Sequence, residues 1–281
     1  MVSSEQRRKQ LAREKFQRQL ERRAAARRRA RVRNSAIAVG VVLVLAAGGA
    51  YAASGGLGGD DKEKDDAAAD TPEKSASPSK APDPCAKPAK GKPNGKQWKK
   101  EPAMKIDKSA SYTMDLKTTC GTIGIGLDAG KAPRTVNSFR FLADEGFFDH
   151  TRCHRLVDEG IHVLQCGDPQ GTGQGGPGYT VPDENLKDPR LKGKTYPAGT
   201  VAMANQYDAR SGKGRDSGGS QFFLVFEDSQ LPPDYTPFGK IDKGMDALKK
   251  IAEAGSAPDP QTGNTAPNAT VVIDKATVKE S

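Results

Sequence analysis

The run YTMDLKTTCGTIGIGL, from Tyr112 to Leu127, decides how the rest of the chain is read. Apolar and polar side chains alternate along Tyr112 to Leu116 and again along Thr122 to Leu127, a period of two that turns every second side chain to one face. Thr118-Thr119-Cys120-Gly121 between them supplies the turn, so the run is expected to fold as a β-hairpin. Further short strands are expected at Cys153 to Val157, Ile161 to Gln165, Gly199 to Met203, Gln221 to Phe226, Thr236 to Ile241 and Thr270 to Val278. Two segments have helical spacing instead. Pro133 at a first-turn position precedes Val136, Phe139 and Leu142, and Met245, Leu248 and Ile251 precede a stop at Gly255. About eight strands with two helices predict a mainly β domain over residues 105–281, an eight-stranded antiparallel barrel capped by two α-helices. That length suffices for a full core.

Upstream the composition changes twice. Residues 54–104, including GGLGGDDKEKDDAAADTPEKSASPSKAPDP, carry almost no large apolar side chains and cannot offset their ordering entropy by burial. A flexible linker is expected there, with Trp98 and Met104 near its end as local anchors. Residues 35–53, SAIAVGVVLVLAAGGAYAA, are 19 residues without a charge. At about 1.5 Å per residue they are just long enough to span a bilayer core as a transmembrane helix.

The charge is concentrated before that run. The 281-residue chain has 44 Lys+Arg against 35 Asp+Glu, a net of +9, while residues 1–34 alone hold 13 Lys+Arg and three Glu. A basic tail beside an apolar span is expected to stay cytoplasmic and leave the remainder of the chain outside the membrane. The alternative is a signal peptide cut near Ala52, where Ala50-Tyr51-Ala52 has the small-x-small form, giving a secreted protein. Since the rest of the chain sums to about −1, a uniformly basic, nucleic-acid-coating protein is excluded and no nucleic-acid partner is expected. One Trp, 31 Gly and 19 Pro argue against a helical bundle.

Six blocks in the folded part resemble the cyclophilin-type peptidyl-prolyl cis/trans isomerases in order along the domain. They are KAPRTVNSF (131–139), GFFDHTRCHRL (146–156), LQCGDPQGTGQGGPGYTVPDE (164–184), VAMAN (201–205), GGSQFFLVF (218–226) and YTPFGKI (235–241). The resemblance implies a barrel with its active groove on the outer face, acting on proline-containing polypeptides as a monomeric catalytic domain without metal or cofactor. Arg155 matches the family's catalytic arginine, and Gln165 the glutamine that orients it. Ala204 and Asn205 match the edge whose backbone pairs with substrate. Phe223, Leu231 and Phe238 are expected to supply the apolar proline pocket, with Gln221 at its rim, Val163 on one wall, and Tyr235 where many members have histidine.

The chemistry these residues suit is bond rotation. Twisting a peptide bond costs about 18–20 kcal/mol because resonance is lost, and no bond is broken. A site for it must grip the pyrrolidine ring and face the amide with a fixed donor that favours the twisted form. The planar, permanently charged guanidinium of Arg155 suits that role. Two departures stand out. RLVDEGIHVLQ, from Arg155 to Gln165, is longer by two residues than the common pattern and has His162-Val163 where a Phe-Met pair usually lies. Gln230 replaces a frequent tryptophan, which predicts weakened cyclosporin binding. The insert QYDARSGKGRDSG after Asn205 is expected at the groove's edge.

Other readings carry less. Gly171 to Gly176 spells GxGxxG, but Pro177, Gly178 and Pro182 follow where a dinucleotide loop must open a helix. His150, His154 and His162 share a window with Cys153 and Cys166, without the spacing of a zinc site. Cys85, Cys120, Cys153 and Cys166 allow three two-bridge pairings, and a Cys153–Cys166 bridge across a hairpin is among those that geometry permits. A non-catalytic alternative uses the same groove as a membrane-tethered binding module or chaperone for proline-containing segments.

Overall fold

In the computed structural model, which describes residues 82–260 and 262–280, the opening hairpin forms as its alternation requires. Strand β1 (Tyr112–Thr118) pairs antiparallel with β2 (Gly121–Leu127), from Tyr112 opposite Leu127 to Thr118 opposite Gly121. Tyr112, Met114, Leu116 and Thr118 point inward while Lys117 is exposed. Thr118 Oγ1 donates to the Gly121 carbonyl at 2.6 Å and closes the turn.

The remaining strands are β3 (Thr151–Arg152), β4 (Arg155–Val157), β5 (Val163–Cys166), β6 (Thr195–Tyr196), β7 (Thr200–Met203), β8 (Phe222–Val225), β9 (Ser229–Gln230), β10 (Pro237–Lys243), β11 (Ser256–Pro258), β12 (Thr265–Pro267) and β13 (Val272–Glu280). Nine of them form one curled antiparallel sheet in the order β3-β13-β1-β2-β10-β7-β8-β5-β4. The sheet holds one strand more than the eight expected because β3, just before the stretch expected from Cys153 to Val157, adds a short strand of its own. β3 and β4, the sheet's two edges, are parted only by Cys153 and His154. There the Cys153 N–H bonds the Val271 carbonyl at 2.9 Å and the His154 N–H turns to the Gln165 carbonyl at 3.1 Å. One continuous stretch thus serves both edges of the sheet.

Two helices cover the sheet, α1 (Pro133–Asp144) and α2 (Met245–Glu253). Pro133 starts α1 because a first-turn residue needs no N–H partner. The orphan N–H groups that follow are taken by the Glu184 carboxylate, at 3.1 Å from Arg134 and 2.9 Å from Thr135. The buried face of α1 brings Phe139 against Phe148, Phe222 and Phe238, the last with ring centroids 4.5 Å apart. Phe238 is fully buried in this main core and does not line the groove, contrary to the expectation for the proline pocket. It lies at the start of β10, where a register irregularity between Pro237 and Gly239 interrupts the simple alternation.

A second, smaller apolar cluster forms on the opposite face of the sheet. The strand period sorts β8 between the two, sending Phe222 and Leu224 to the main core and Phe223 and Val225 to the second cluster.

Part of the expected linker is structured. Residues 82–104 run along the domain as a strap, tied by the Cys85–Cys120 disulfide and by Ala86 N–H to the Thr119 carbonyl at 2.8 Å. Asn94 Nδ2 donates to the Gly146 carbonyl at 2.8 Å, and the Trp98 ring packs 5.0 Å from Phe141. Long-range partners therefore order a segment whose composition alone argues against order. The second disulfide joins Cys153 to Cys166, which selects one of the three possible pairings. Among the described residues no helix is long and apolar enough to cross a membrane. The basic tail 1–34, the apolar run 35–53 and linker residues 54–81 lie outside the described residues.

Candidate active site

Strands β4, β5 and β8 set the site as a row across the sheet. Arg155 is directly opposite Gln165, Gln165 is opposite Phe223, and Phe223 is opposite Ala202 on β7. Residues paired in this way share a face, here the one that carries the second apolar cluster. A cavity of about 180 Å³ opens there, walled by Ile161, Val163, Phe223, Leu231 and Tyr235 and edged by Arg155, Gln165, Ala204 and Asn205.

Arg155 is held by neutral groups. Its Nη1 donates to Gln165 Oε1 at 3.2 Å, Gln165 Nε2 donates to Gln221 Oε1 at 2.9 Å, and Gln221 Nε2 donates to the Gly175 carbonyl at 2.9 Å. Burial lowers the guanidinium's pKa from its ordinary value, with Tyr235 acting in the opposite sense. An arginine nonetheless stays protonated at neutral pH. No carboxylate pairs with Arg155 among the described residues, so its charge is directed at the cavity mouth. Behind it, His154 is buried, and desolvation first, with Arg152 and Arg155 nearby, lowers its pKa despite the opposing charge of Asp168. The imidazole is neutral at pH 7, which spares Arg155 a second adjacent cation.

The loop after β5 is built around Asp168. Its carboxylate accepts N–H groups of Gln170 at 2.7 Å, Thr172 at 3.0 Å, Gly173 at 2.6 Å and Gly175 at 3.1 Å. Burial would raise the Asp168 pKa, but these bonds outweigh it and hold the carboxyl below its usual range. The GxGxxG glycines thus wrap an internal carboxylate where a dinucleotide loop would wrap phosphate. Gly175 is required, since a Cβ there would lie 2.0 Å from Asp168 Oδ1. Cys153 and Cys166 are bonded to each other and hold no thiolate for a metal.

On the other side, Tyr196 positions Tyr235, donating from its hydroxyl to the Tyr235 carbonyl at 2.8 Å and accepting the Tyr235 N–H at 3.2 Å. Asn205 Nδ2 donates to the Asp234 carbonyl at 2.8 Å. Arg215, from the expected insert, pairs with Asp234 and with Asp183 at 3.4 Å and lies 3.4 Å over the Tyr207 ring. The insert is thereby folded beside the groove.

The structure brings Arg155, Val163, Gln165, Ala204, Asn205, Phe223, Leu231 and Tyr235 together around one cavity. Gln221 stands behind Gln165 and lines a second, adjoining cavity of about 380 Å³. His162 turns away to Phe226, at 5.5 Å, and to Glu227, at 3.6 Å. Ile161 supplies the wall instead. Sequence reasoning missed Ile161, Tyr196 and Arg215. Only Ile161 had a signal, as the apolar residue nearest Val163 in a loop of unusual length.

A family model described as "Cyclophilin type peptidyl-prolyl cis-trans isomerase/CLD" matches residues 113–278. A probable peptidyl-prolyl cis-trans isomerase B of Mycobacterium leprae is 44% identical over 171 residues, 58% of this chain and 56% of that protein. The peptidyl-prolyl cis-trans isomerase B of Bacillus subtilis is 41% identical over 122 residues, 43% of this chain and 76% of that protein. A crystal structure of a cyclophilin-type isomerase from Cryptosporidium parvum is 25% identical, covers 61% of this chain and 99% of its own, and superposes with a TM-score of 0.49. The chain spans about half the length of the mycobacterial relatives, 56% and 53% of two of them. The family match begins in β1 and ends in β13, taking in the whole curled sheet and the Arg155–Gln165 pair, and the chain belongs to the cyclophilin-type peptidyl-prolyl isomerase family.

Proposed function

We propose that the chain accelerates cis/trans rotation about X-Pro bonds in polypeptides. The observation that carries this reading is a guanidinium with no carboxylate partner among the described residues, braced by Gln165 at 3.2 Å, at an apolar cavity of about 180 Å³. The pyrrolidine ring enters between Phe223, Leu231 and Val163. That places the prolyl amide before Arg155. As the bond twists, its nitrogen regains a lone pair, and a donor aimed at that atom or at the neighbouring carbonyl is worth more in the twisted form than in either planar one. Gln165 and Gln221 keep the donor from reorganising, so its orientation is set before substrate arrives.

The setting belongs to the proposal too. The Arg-rich segment 1–34 before the apolar run 35–53 supports a single-pass anchor with the catalytic domain outside the cytoplasmic membrane. Two disulfides in the folded part favour an oxidising compartment. The reading is completed by a monomeric catalytic domain that acts on exported, proline-containing polypeptides.

Exchange spectroscopy on a short Ala-Pro peptide tests the activity. Catalytic amounts of the full chain are expected to bring cis and trans resonances into exchange within seconds, against tens of seconds or longer unaided. Peptide binding without exchange would instead identify a binding module. Retention in the membrane fraction through a carbonate wash is the result expected of the anchor, and release into the wash would refute it.

A further inference from the structure

The second cavity, about 380 Å³, shares Gln165, Ala204 and Asn205 with the first, so the two form one continuous groove. A chain whose proline occupies the first compartment lays a flanking residue in the second. Its lining is polar but uncharged among the described residues, with Gln174, Asn205, Gln206 and Gln221 prominent. One lining residue, Gln97, comes from outside the sheet and its loops, on the N-terminal strap.

The strap is fitted at this point. The Trp98 N–H donates to the Pro177 carbonyl at 2.8 Å, and the Trp98 ring lies 5.0 Å from Phe141 and 5.9 Å from Phe147. On the facing loop Gly178 has φ +87°, and a Cβ there would stand 2.8 Å from the Trp98 carbonyl oxygen and 3.2 Å from Gln97 Cβ. Only glycine allows the two backbones to approach so closely. Upstream, Lys96 pairs with Glu145 at 2.8 Å and Cys85 is bonded to Cys120. Gln97 is itself exposed, flanked on both sides by anchored residues, so its side chain is free to meet a ligand while its backbone is not free to move.

We propose that Gln97 is a specificity-determining residue, through which the strap selects uncharged polar side chains flanking the proline. This inference rests on the isomerase reading of the groove. Because the compartment offers amides and hydroxyls without a charge, a substrate lysine or glutamate entering it meets no counter-charge, whereas a glutamine or serine finds both donors and acceptors.

The test uses full-chain protein with Gln97→Glu and Gln97→Lys, against X-Pro peptides carrying Gln, Lys or Glu at each flanking position in turn. Both kcat/KM and peptide affinity, by fluorescence anisotropy, are read. At one flanking position Gln97→Glu is expected to raise the Lys-to-Glu preference about two- to fivefold, and Gln97→Lys to lower it by a similar factor, the size that an exposed ion pair carries. A structural role for Gln97 would move all peptides together. Preferences that do not change, or change in the same sense in both variants, overturn the proposal. A parent that binds the peptides without turnover refutes the isomerase reading, and the affinity ratios then decide this inference by themselves.

Discussion

Replacing Gln165 by glutamate keeps size and shape while placing a carboxylate where Arg155 now meets a neutral oxygen at 3.2 Å. Unit charges about 4 Å apart attract by about 4 kcal/mol at an effective dielectric of about 20. The site is half-buried and open at its mouth, so about 1.4 to 3 kcal/mol is a fairer value after solvent screening. That energy must be surrendered before the guanidinium can serve the twisted amide, and the expected loss in kcat/KM at pH 7 is roughly 10- to 100-fold. Gln165→Glu also removes the donor that reaches Gln221 Oε1 at 2.9 Å. Gln165→Ala removes the same brace without adding a charge and is the control. The pH dependence separates them. A cation alongside lowers the introduced carboxyl's pKa below its ordinary value of about 4.3, so it is ionised and inhibitory above that range and protonated below it. Relative to the parent, Gln165→Glu therefore recovers as pH falls below about 4, and Gln165→Ala does not. Exchange spectroscopy from neutral pH downward reads both. Parental turnover in Gln165→Glu at pH 7, or equal acid recovery in the two variants, would refute the idea that the unpaired charge of Arg155 is what acts.

Phe238→Ala should cost about 3–5 kcal/mol in urea unfolding while leaving KM of the folded protein near the parent's. Phe223→Ala should raise KM for a proline peptide about tenfold, equivalent to about 1.4 kcal/mol, and an unchanged KM would remove Phe223 from the groove. Asp188 bears on acid stability. Burial would raise its pKa, but hydrogen bonds from Arg190 and Asn185 outweigh it and hold the carboxyl far below its usual range. Its contribution is present above about pH 3.9, the unfolded value, and is lost as pH falls further through the folded value. Asp188→Asn should cost about 3 kcal/mol at pH 7 and flatten the loss of stability below about pH 4, as followed by denaturation at stepped pH. Gln230 is exposed and donates to Thr195 Oγ1 at 2.7 Å, so titration with cyclosporin should give weaker than nanomolar affinity.

What the sequence discloses here depends on the range of the interaction. Alternation is local, and it places the faces of β1 and assigns Phe222 and Phe223 to opposite sides of β8. Arg155 and Gln165 are legible because they face each other across a short hairpin and stand in blocks that resemble a family. Phe238 misled because the resemblance carried an apolar residue of the YTPFGKI block to the pocket, whereas the fold turns its ring inward against Phe139. The side chains of Ile161 and His162 lie in a turn of unusual length, where neither period nor resemblance sets direction. The strap was illegible for another reason. Its Ala89 N–H finds Asp274 Oδ1 at 2.9 Å, 185 residues away, and composition contains no trace of such a partner. Trp98 near its end was the legible anchor, and it packs on Phe141, whereas Met104 stays exposed and the tie through Cys85 could not be read from an isolated cysteine in a Pro- and Lys-rich run.

The most direct measurement is the catalysed exchange rate of an Ala-Pro peptide with the full chain and with Arg155→Ala, after circular dichroism has established that both are folded. The account predicts a fall of about 10²- to 10³-fold in kcat, the loss typical of removing one preorganised donor, with peptide affinity reduced far less. Turnover in Arg155→Ala equal to the parent's would contradict it.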